Sequence, residues 1–422
     1  ENENRKPLII RGARQVGKTW IMKTFGQQYF EKTAYVNFDN NARMKQVFEG
    51  DLDIERLVLA ISAETGVSIE AENTLIIFDE IQEVPKALTS LKYFHENAPQ
   101  YAIVAAGSLL GVALHQGTSF PVGKVDFLDL YPLNFREFLC AMGEKQFVSM
   151  LDSCDTQMVT VFKTKYIERL REYYFVGGMP EVVKDFSEKK DYNRVRAIQK
   201  NLINYYQQDF SKHAEIKLVP RLNLVWNSIP MQLAKENKKY IYGQVREGSR
   251  AKDFELAIQW LLDCGLIHKV QRIQKPDLPL KAYIDFDAFK LFLVDIGLLI
   301  AMTDLDAKVI IEGNKIFTEF KGSLTEQYIL QQLISDVGVI PYYYSTQNSK
   351  GEIDFLVQGK TSVIPIEVKA EENLKAKSLK AFCEKYQPSY AVRTSMSDYR
   401  EQDWMTNIPL YAIKWIENYV NQ

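Results

Sequence analysis

The run Gly12-Ala13-Arg14-Gln15-Val16-Gly17-Lys18-Thr19 reads G-x-x-x-x-G-K-T. It follows a strand-like stretch, Pro7-Leu8-Ile9-Ile10-Arg11, and precedes a helix-like one, Trp20–Phe25. Strand, glycine loop and helix in that order are the context in which this pattern binds phosphate. The glycines let successive backbone N–H groups turn inward, and the helix start adds the positive end of its dipole. Lys18 would reach β- and γ-phosphates, and the Thr19 hydroxyl would hold Mg²⁺. A chain with this feature has to build a parallel α/β sheet around it, with the loop at the strand's C-terminal end.

A second element fits that sheet. Thr74-Leu75-Ile76-Ile77-Phe78 is apolar on both faces, as a central parallel strand is, and it ends in Asp79-Glu80. Asp79 is expected to contact Mg²⁺ through Thr19 and water, and Glu80 to orient and polarise an attacking water. An acid pair rather than a lone Asp points to hydrolysis. The strand Tyr101–Ala106 is followed by Gly107-Ser108, which makes Ser108 a candidate γ-phosphate sensor or an ordinary strand-to-loop turn. Ala34–Asp39 is a further strand, and Asp39 either positions water or caps the strand.

Length and composition bound the rest. The 422 residues suffice for about three domains, and 46% hydrophobic content is ample for buried cores. No apolar run approaches the roughly 20 residues a membrane helix needs. No signal peptide is visible, and a start at Glu1 rather than Met is expected not to be the native one. Cys140, Cys154, Cys264 and Cys383 stand far apart, which suits a reducing cytoplasm and gives no zinc pattern. His95, His115, His213 and His268 form no ligand cluster in sequence. A net charge of −2 offers no global attraction for nucleic acid, so any DNA contact would be local.

The expected organisation is an ATPase-like α/β domain over residues 1–140, a helical region over 141–220, a winged-helix-like domain over 221–280 and a terminal α/β domain over 281–422. Within 221–280 the pattern reads helix (Arg221–Ala234), extended piece (Tyr240–Tyr242), helix (Ala251–Cys264), C-cap (Gly265) and strand (Leu266–Val270). Lys235 to Lys275 holds nine Lys or Arg against five Asp or Glu. That local surplus would contact DNA phosphates, or would merely solvate a helical packing module.

The terminal part carries a second constellation. Glu352–Val357 and Val363–Lys369 read as a hairpin. Alternation puts Glu352 and Asp354 on one face, and likewise Glu367 and Lys369. A two-residue turn would set Glu352 opposite Glu367 with Asp354 diagonal to it. Converging carboxylates repel unless a cation or proton sits among them. Such a site would hold Mg²⁺, with Lys369 orienting water and Glu326, on the helix Leu324–Leu333, completing it; the alternative is an exposed, alternating charged face.

The phosphate loop, the Asp79-Glu80-Ile81-Gln82 tail and Tyr131-Pro132-Leu133-Asn134-Phe135 together resemble a prokaryotic group of AAA-type ATPases. The resemblance spans nearly the whole chain. It implies a P-loop NTPase with a doubly wound parallel sheet, a helical and winged-helix middle region and a C-terminal domain of unknown function. That last domain resembles PD-(D/E)xK nucleases of the restriction-endonuclease-like α/β fold, with Glu326, Asp354, Glu367 and Lys369 at the motif positions. ATP and Mg²⁺ are the implied cofactors, and DNA and a homo-oligomer the implied partners. No arginine finger stands out; Arg136 and Lys124 are the candidates. Two function classes follow: ATP hydrolysis coupled to a metal-dependent nuclease acting on DNA, or an ATP-driven switch with a catalytically silent nuclease-like domain.

Overall fold

Strands that are apolar on both faces need helices on both sides, and the first half of the chain supplies them. The computed structural model describes residues 5–108, 110–111, 121–235, 239–312, 318–346, 351–371 and 376–422. His115 lies outside them. They divide into two compact units: Glu1–Tyr131 with Gln259–Leu266, and Pro132–Ile258 with Ile267–Gln422.

The first unit is a five-stranded sheet in the order β2-β3-β4-β1-β5. Its strands are β1 (Leu8–Arg11), β2 (Lys32–Asn37), β3 (Thr74–Asp79), β4 (Ala102–Ala106) and β5 (Asp126–Asp129), and every pairing is parallel. All six residues of β3 are buried. Alternation divides them between two cores. Ile76 and Phe78 pack with Leu88, Leu91 and Phe94 of a helix over Pro85–Asn97. Leu75 and Ile77 pack with Met22 of α1 (Lys18–Tyr29). Each such aliphatic or aromatic side chain contributes about 1.5–3 kcal/mol by leaving water. This parallel sheet, with α1 leaving the phosphate loop, has the expected P-loop architecture.

In the second unit, helices occupy most of residues 135–233. A mixed sheet, which includes β11 (Val392–Ser395), β12 (Arg400–Gln402) and β13 (Met405–Pro409) and the strands β6 to β10 given below, runs in the order β12-β13-β11-β10-β9-β8-β6-β7. A capping box starts its first helix: the Asn134 side chain accepts from Glu137 N, and Glu137 returns the bond to Asn134 N. The helices Val219–Leu233 and Ala251–Asp263 form as expected. β6 (Ile267–Ile273) pairs antiparallel with β7 (Ile284–Leu293) across residue 280, and β6 also pairs parallel with β8 (Tyr342–Ser345). The strand expected in the winged helix is thus a member of the C-terminal sheet.

The hairpin of β9 (Glu352–Gln358) and β10 (Val363–Val368) forms in a different register from the expected one. Gln358 pairs with Val363 and Phe355 with Ile366. The chain reverses through four residues, Gly359 to Ser362, with Gly359 N donating to Ser362 O at 2.9 Å. Extending the register sets Asp354 across from Glu367, and Glu352 across from Lys369. The longer turn slides the strands by two positions, which preserves the faces but changes the partners. Among the described residues no helix is long and apolar enough to cross a membrane.

Candidate functional site

The phosphate loop sits between β1 and α1. Gly12 has φ 147°, and a Cβ there would stand 2.1 Å from the Leu130 carbonyl oxygen, so only glycine fits. Gly17 (φ 95°) starts α1 in the left-handed region, and Gln15 (φ 64°) shares it. Ala13 and Val16 are buried and anchor the loop from within. The Lys18 ammonium curls back to Gly12 O (2.9 Å) and Ala13 O (2.7 Å). It is 6% exposed. Burial pulls its pKa down to about 8; Glu80 and Asp79 pull the other way, and Arg14 adds to the lowering. A buried ammonium held by two carbonyls is poised to take an anionic oxygen.

Thr19 and Asp79 meet. Thr19 Oγ1 donates to Asp79 Oδ2 at 2.6 Å, across the sheet from loop to strand end. One small cation could be taken by both. Asp79 is 4% exposed, and its other oxygen accepts from Glu80 N at 3.1 Å. A third donor was not foreseen: Tyr35 Oη, from β2, donates to Asp79 Oδ2 at 2.9 Å. Burial, then Asp79, holds the phenol pKa above its ordinary value, so it stays a donor. Tyr35 on the strand Ala34–Asp39 reads as an ordinary β-residue; only the parallel pairing of Asn37 with Asp79 brings it there.

Glu80 sits at φ 51°, unusual for a non-glycine residue. Its Oε2 accepts from Gln82 Nε2 (2.6 Å) and from Ser108 Oγ (3.2 Å). Ser108, expected to sense phosphate, therefore touches the acid expected to polarise water. Gln82 was another residue not foreseen, and its place two residues after Glu80 was the available signal. Asp39 is exposed, and its N–H donates to Asn37 Oδ1. Of the two candidate fingers, Lys124 pairs with Glu96 at 3.0 Å. Arg136 belongs to the second unit, where it pairs with Asp336 at 2.8 Å and with Asp152.

Residues 4–139 match a family described as an AAA domain. The first unit is thus similar to AAA domains in sequence and carries the parallel sheet and phosphate loop of a P-loop domain. Nucleotide binding, typically with Mg²⁺, is what that family implies. Residues 167–309 match a domain of unknown function (DUF8612), and residues 321–413 match another (DUF4143). No curated protein matches the chain. Similar solved structures include the Walker-type ATPase PABY2304 of Pyrococcus abyssi, at 13% identity over 71% of this chain and 91% of that one, with a TM-score of 0.43. Drosophila ORC bound to DNA is similar at 12% identity over 71% and 89%, with a TM-score of 0.24. The assignment rests on the family match and the loop geometry.

The candidate acids of the second unit, Glu326, Glu352, Asp354 and Glu367, are all engaged. Glu367 is 4% exposed, pairs with Lys369 Nζ at 2.6 Å and accepts from Leu379 N at 3.2 Å. Asp354 accepts from Val368 N at 2.7 Å. Glu326 and Glu352 share a cation that sequence reading passed over, Lys290 of β7. Its Nζ stands 3.7 Å from Glu326 and is hydrogen-bonded to Glu352. The available signal was a lone lysine inside the apolar run Ala288–Val294. Among the described residues no group of three His, Cys, Asp or Glu side chains could hold a metal ion. The Mg²⁺ expected from Glu326, Asp354 and Glu367 therefore does not fit this arrangement.

The basic surplus near residue 250 is partly spent locally. Arg272 pairs with Asp285, Lys275 with Asp277 at 2.7 Å, and Lys269 lies over the Phe289 ring at 4.3 Å. Arg221 and Arg246 line a surface hollow of about 300 Å³, where Glu247 and Asp253 balance their charge.

Proposed function

We propose that the chain binds and hydrolyses ATP with Mg²⁺ in its first unit. The contact that carries this is Thr19 Oγ1 to Asp79 Oδ2, which sets a hydroxyl of the phosphate loop against a carboxylate at the end of β3. Thr19 and Asp79 would hold Mg²⁺, whose charge would offset that of the phosphates. Loop N–H groups from Ala13 to Thr19 would cradle the phosphates, and the Lys18 ammonium would leave Gly12 O and Ala13 O for a phosphate oxygen. Glu80 would hold a water and take up its proton as the water attacks. To do so it would give up Gln82, and Ser108 would report on the γ-phosphate through that release. Glu80→Gln is expected to keep ATP affinity and to lower turnover by at least about a hundredfold, because an amide is no base. ATP hydrolysis at the parental rate by this variant would falsify the assignment.

The use of this cycle reads best as a switch, in which nucleotide state sets the contacts made by a catalytically silent second unit. The specific observation is the engagement of Asp354 and Glu367 with Val368 N, Lys369 and Leu379 N. Nuclease coupling is the competing reading, and metal-dependent nicking of plasmid DNA, lost in Asp354→Ala, would establish it. DNA as a partner rests on Arg221 and Arg246 around their hollow. Self-association rests on the need for a positive residue at the γ-phosphate, since Lys124 and Arg136 are both ion-paired.

A further inference from the structure

Acids gathered at a buried or half-buried site need a countercharge close by. Three carboxylates come from two elements of the second unit: Glu326 from the helix Thr318–Gln332, and Glu352 and Asp354 from β9. In a metal-dependent nuclease of the pattern Glu326, Asp354, Glu367, Lys369, a divalent cation supplies that charge. Here a side chain does. Lys290 is 0% exposed, though lysine is almost never fully buried unless paired. Its ammonium bonds Glu352, stands 3.7 Å from Glu326 and lies 4.8 Å from the centroid of the Tyr343 ring. Two carboxylates and an aromatic face surround one cation, which is how a desolvated ammonium is accommodated.

We infer that Lys290 is the built-in cation of this acid set, taking the place of a divalent metal, so that the second unit binds no metal at Glu326, Glu352 and Asp354. The arrangement gives Glu326 and Glu352 a role that needs no metal: they neutralise a lysine in the middle of the apolar strand β7. It also gives the silent-unit reading, on which it builds, a physical cause. The ATPase assignment does not enter.

Two measurements decide it. The first titrates the unmutated chain with Mn²⁺ in the absence of nucleotide, by the loss of the free-ion paramagnetic resonance signal, with Asp354→Ala alongside. Identical titrations are expected; a Mn²⁺ site that Asp354→Ala removes overturns the inference. The second compares melting temperatures. Removing the cation alone strands the buried Glu326 and the half-buried Glu352, so Lys290→Met should melt lower by roughly 5–10 °C. Adding Glu326→Gln and Glu352→Gln to that variant removes the stranded charges and should recover at least half of the loss. A combined variant no more stable than Lys290→Met alone overturns the inference. Should Lys290→Met fail to fold, recovery of a folded combined variant counts the same way, and the Mn²⁺ titration stands without either. Cleavage of DNA by the unmutated chain would remove the silent-unit reading, while the place of Lys290 is still decided by these two results.

Discussion

Asp79 shows how one oxygen is shared. Its Oδ2 accepts from both Thr19 and Tyr35, so the carboxylate is already oriented before any ligand arrives. When Thr19 turns to Mg²⁺, Tyr35 is the donor left to hold that orientation. Tyr35→Phe removes it without changing shape. A hydrogen bond to a charged group contributes about 1.5–3 kcal/mol, so the Mg²⁺ concentration for half-maximal ATPase should rise about tenfold. The rate at saturating Mg²⁺ should move much less. An unchanged Mg²⁺ requirement would mean that Thr19 alone sets the carboxylate. A second residue-scale case is Asp295, which is fully buried and accepts from Gly178 N at 2.6 Å and Leu298 N at 3.0 Å. Burial pushes its pKa up to about 6, against those hydrogen bonds. The unfolded value is about 3.9. Between about pH 4 and 6 the native state therefore holds more protons than the unfolded one. The stability contributed by this group falls as pH rises through that window, by about 3 kcal/mol in all. Asp295→Asn lacks the titration. The melting temperature of the parent relative to Asp295→Asn should rise as pH is lowered from about 7 to about 4.5 and be flat above 7. Parallel curves would show that the carboxyl titrates normally.

At the scale of elements, the legible features were the local ones. β3 was visible because five apolar residues in a row end in two acids, and α1 because it leaves a glycine loop. The phosphate-loop residues could be named because the motif is contiguous and its chemistry is done largely by its own backbone. The hairpin shows where legibility stops. Both strands and their faces followed from alternation, but the register depended on whether Gly359-Lys360-Thr361-Ser362 turned in two residues or four. That choice is made by turn hydrogen bonds, and sequence spacing does not encode it. Tyr35, Gln82 and Lys290 escaped for a related reason. Each does its work on a residue of another segment or through a bend, and Lys290 meets Glu352 across 62 positions of chain. A lysine within Ala-Phe-Lys-Leu-Phe-Leu announces that a buried partner exists without saying which. The strand Ile267–Ile273 is similar: its helical approach was legible, but its place beside β8 depends on a strand some seventy residues later.

At the scale of the whole molecule, order along the chain and membership of a compact unit part company. Residues 167–309 match one domain of unknown function, yet Gln259–Leu266 belongs to the first unit. The segment ends at the phosphate loop. Gly265 has φ 69°, and a Cβ there would stand 3.2 Å from Ala13 N, an N–H of the loop that would cradle phosphate. The site is thus supported by a residue some 250 positions away that touches no ligand. Gly66 provides the control, because its φ is 68° and a Cβ there would meet nothing within 4 Å. Valine at either place pays the left-handed strain of a β-branched residue, about 1–2 kcal/mol or more, and both variants should melt a few degrees lower. Only Gly265→Val should also press on the loop. Its affinity for a fluorescent ATP analogue, titrated well below melting, should fall about tenfold, since small misplacements of positioned donors are costly. Gly66→Val should bind as the parent does. Equal affinities in the two variants would show that the loop holds its shape without the 259–266 segment, and the support would then have to be sought in Leu130, whose carbonyl leaves Gly12 no room for a side chain.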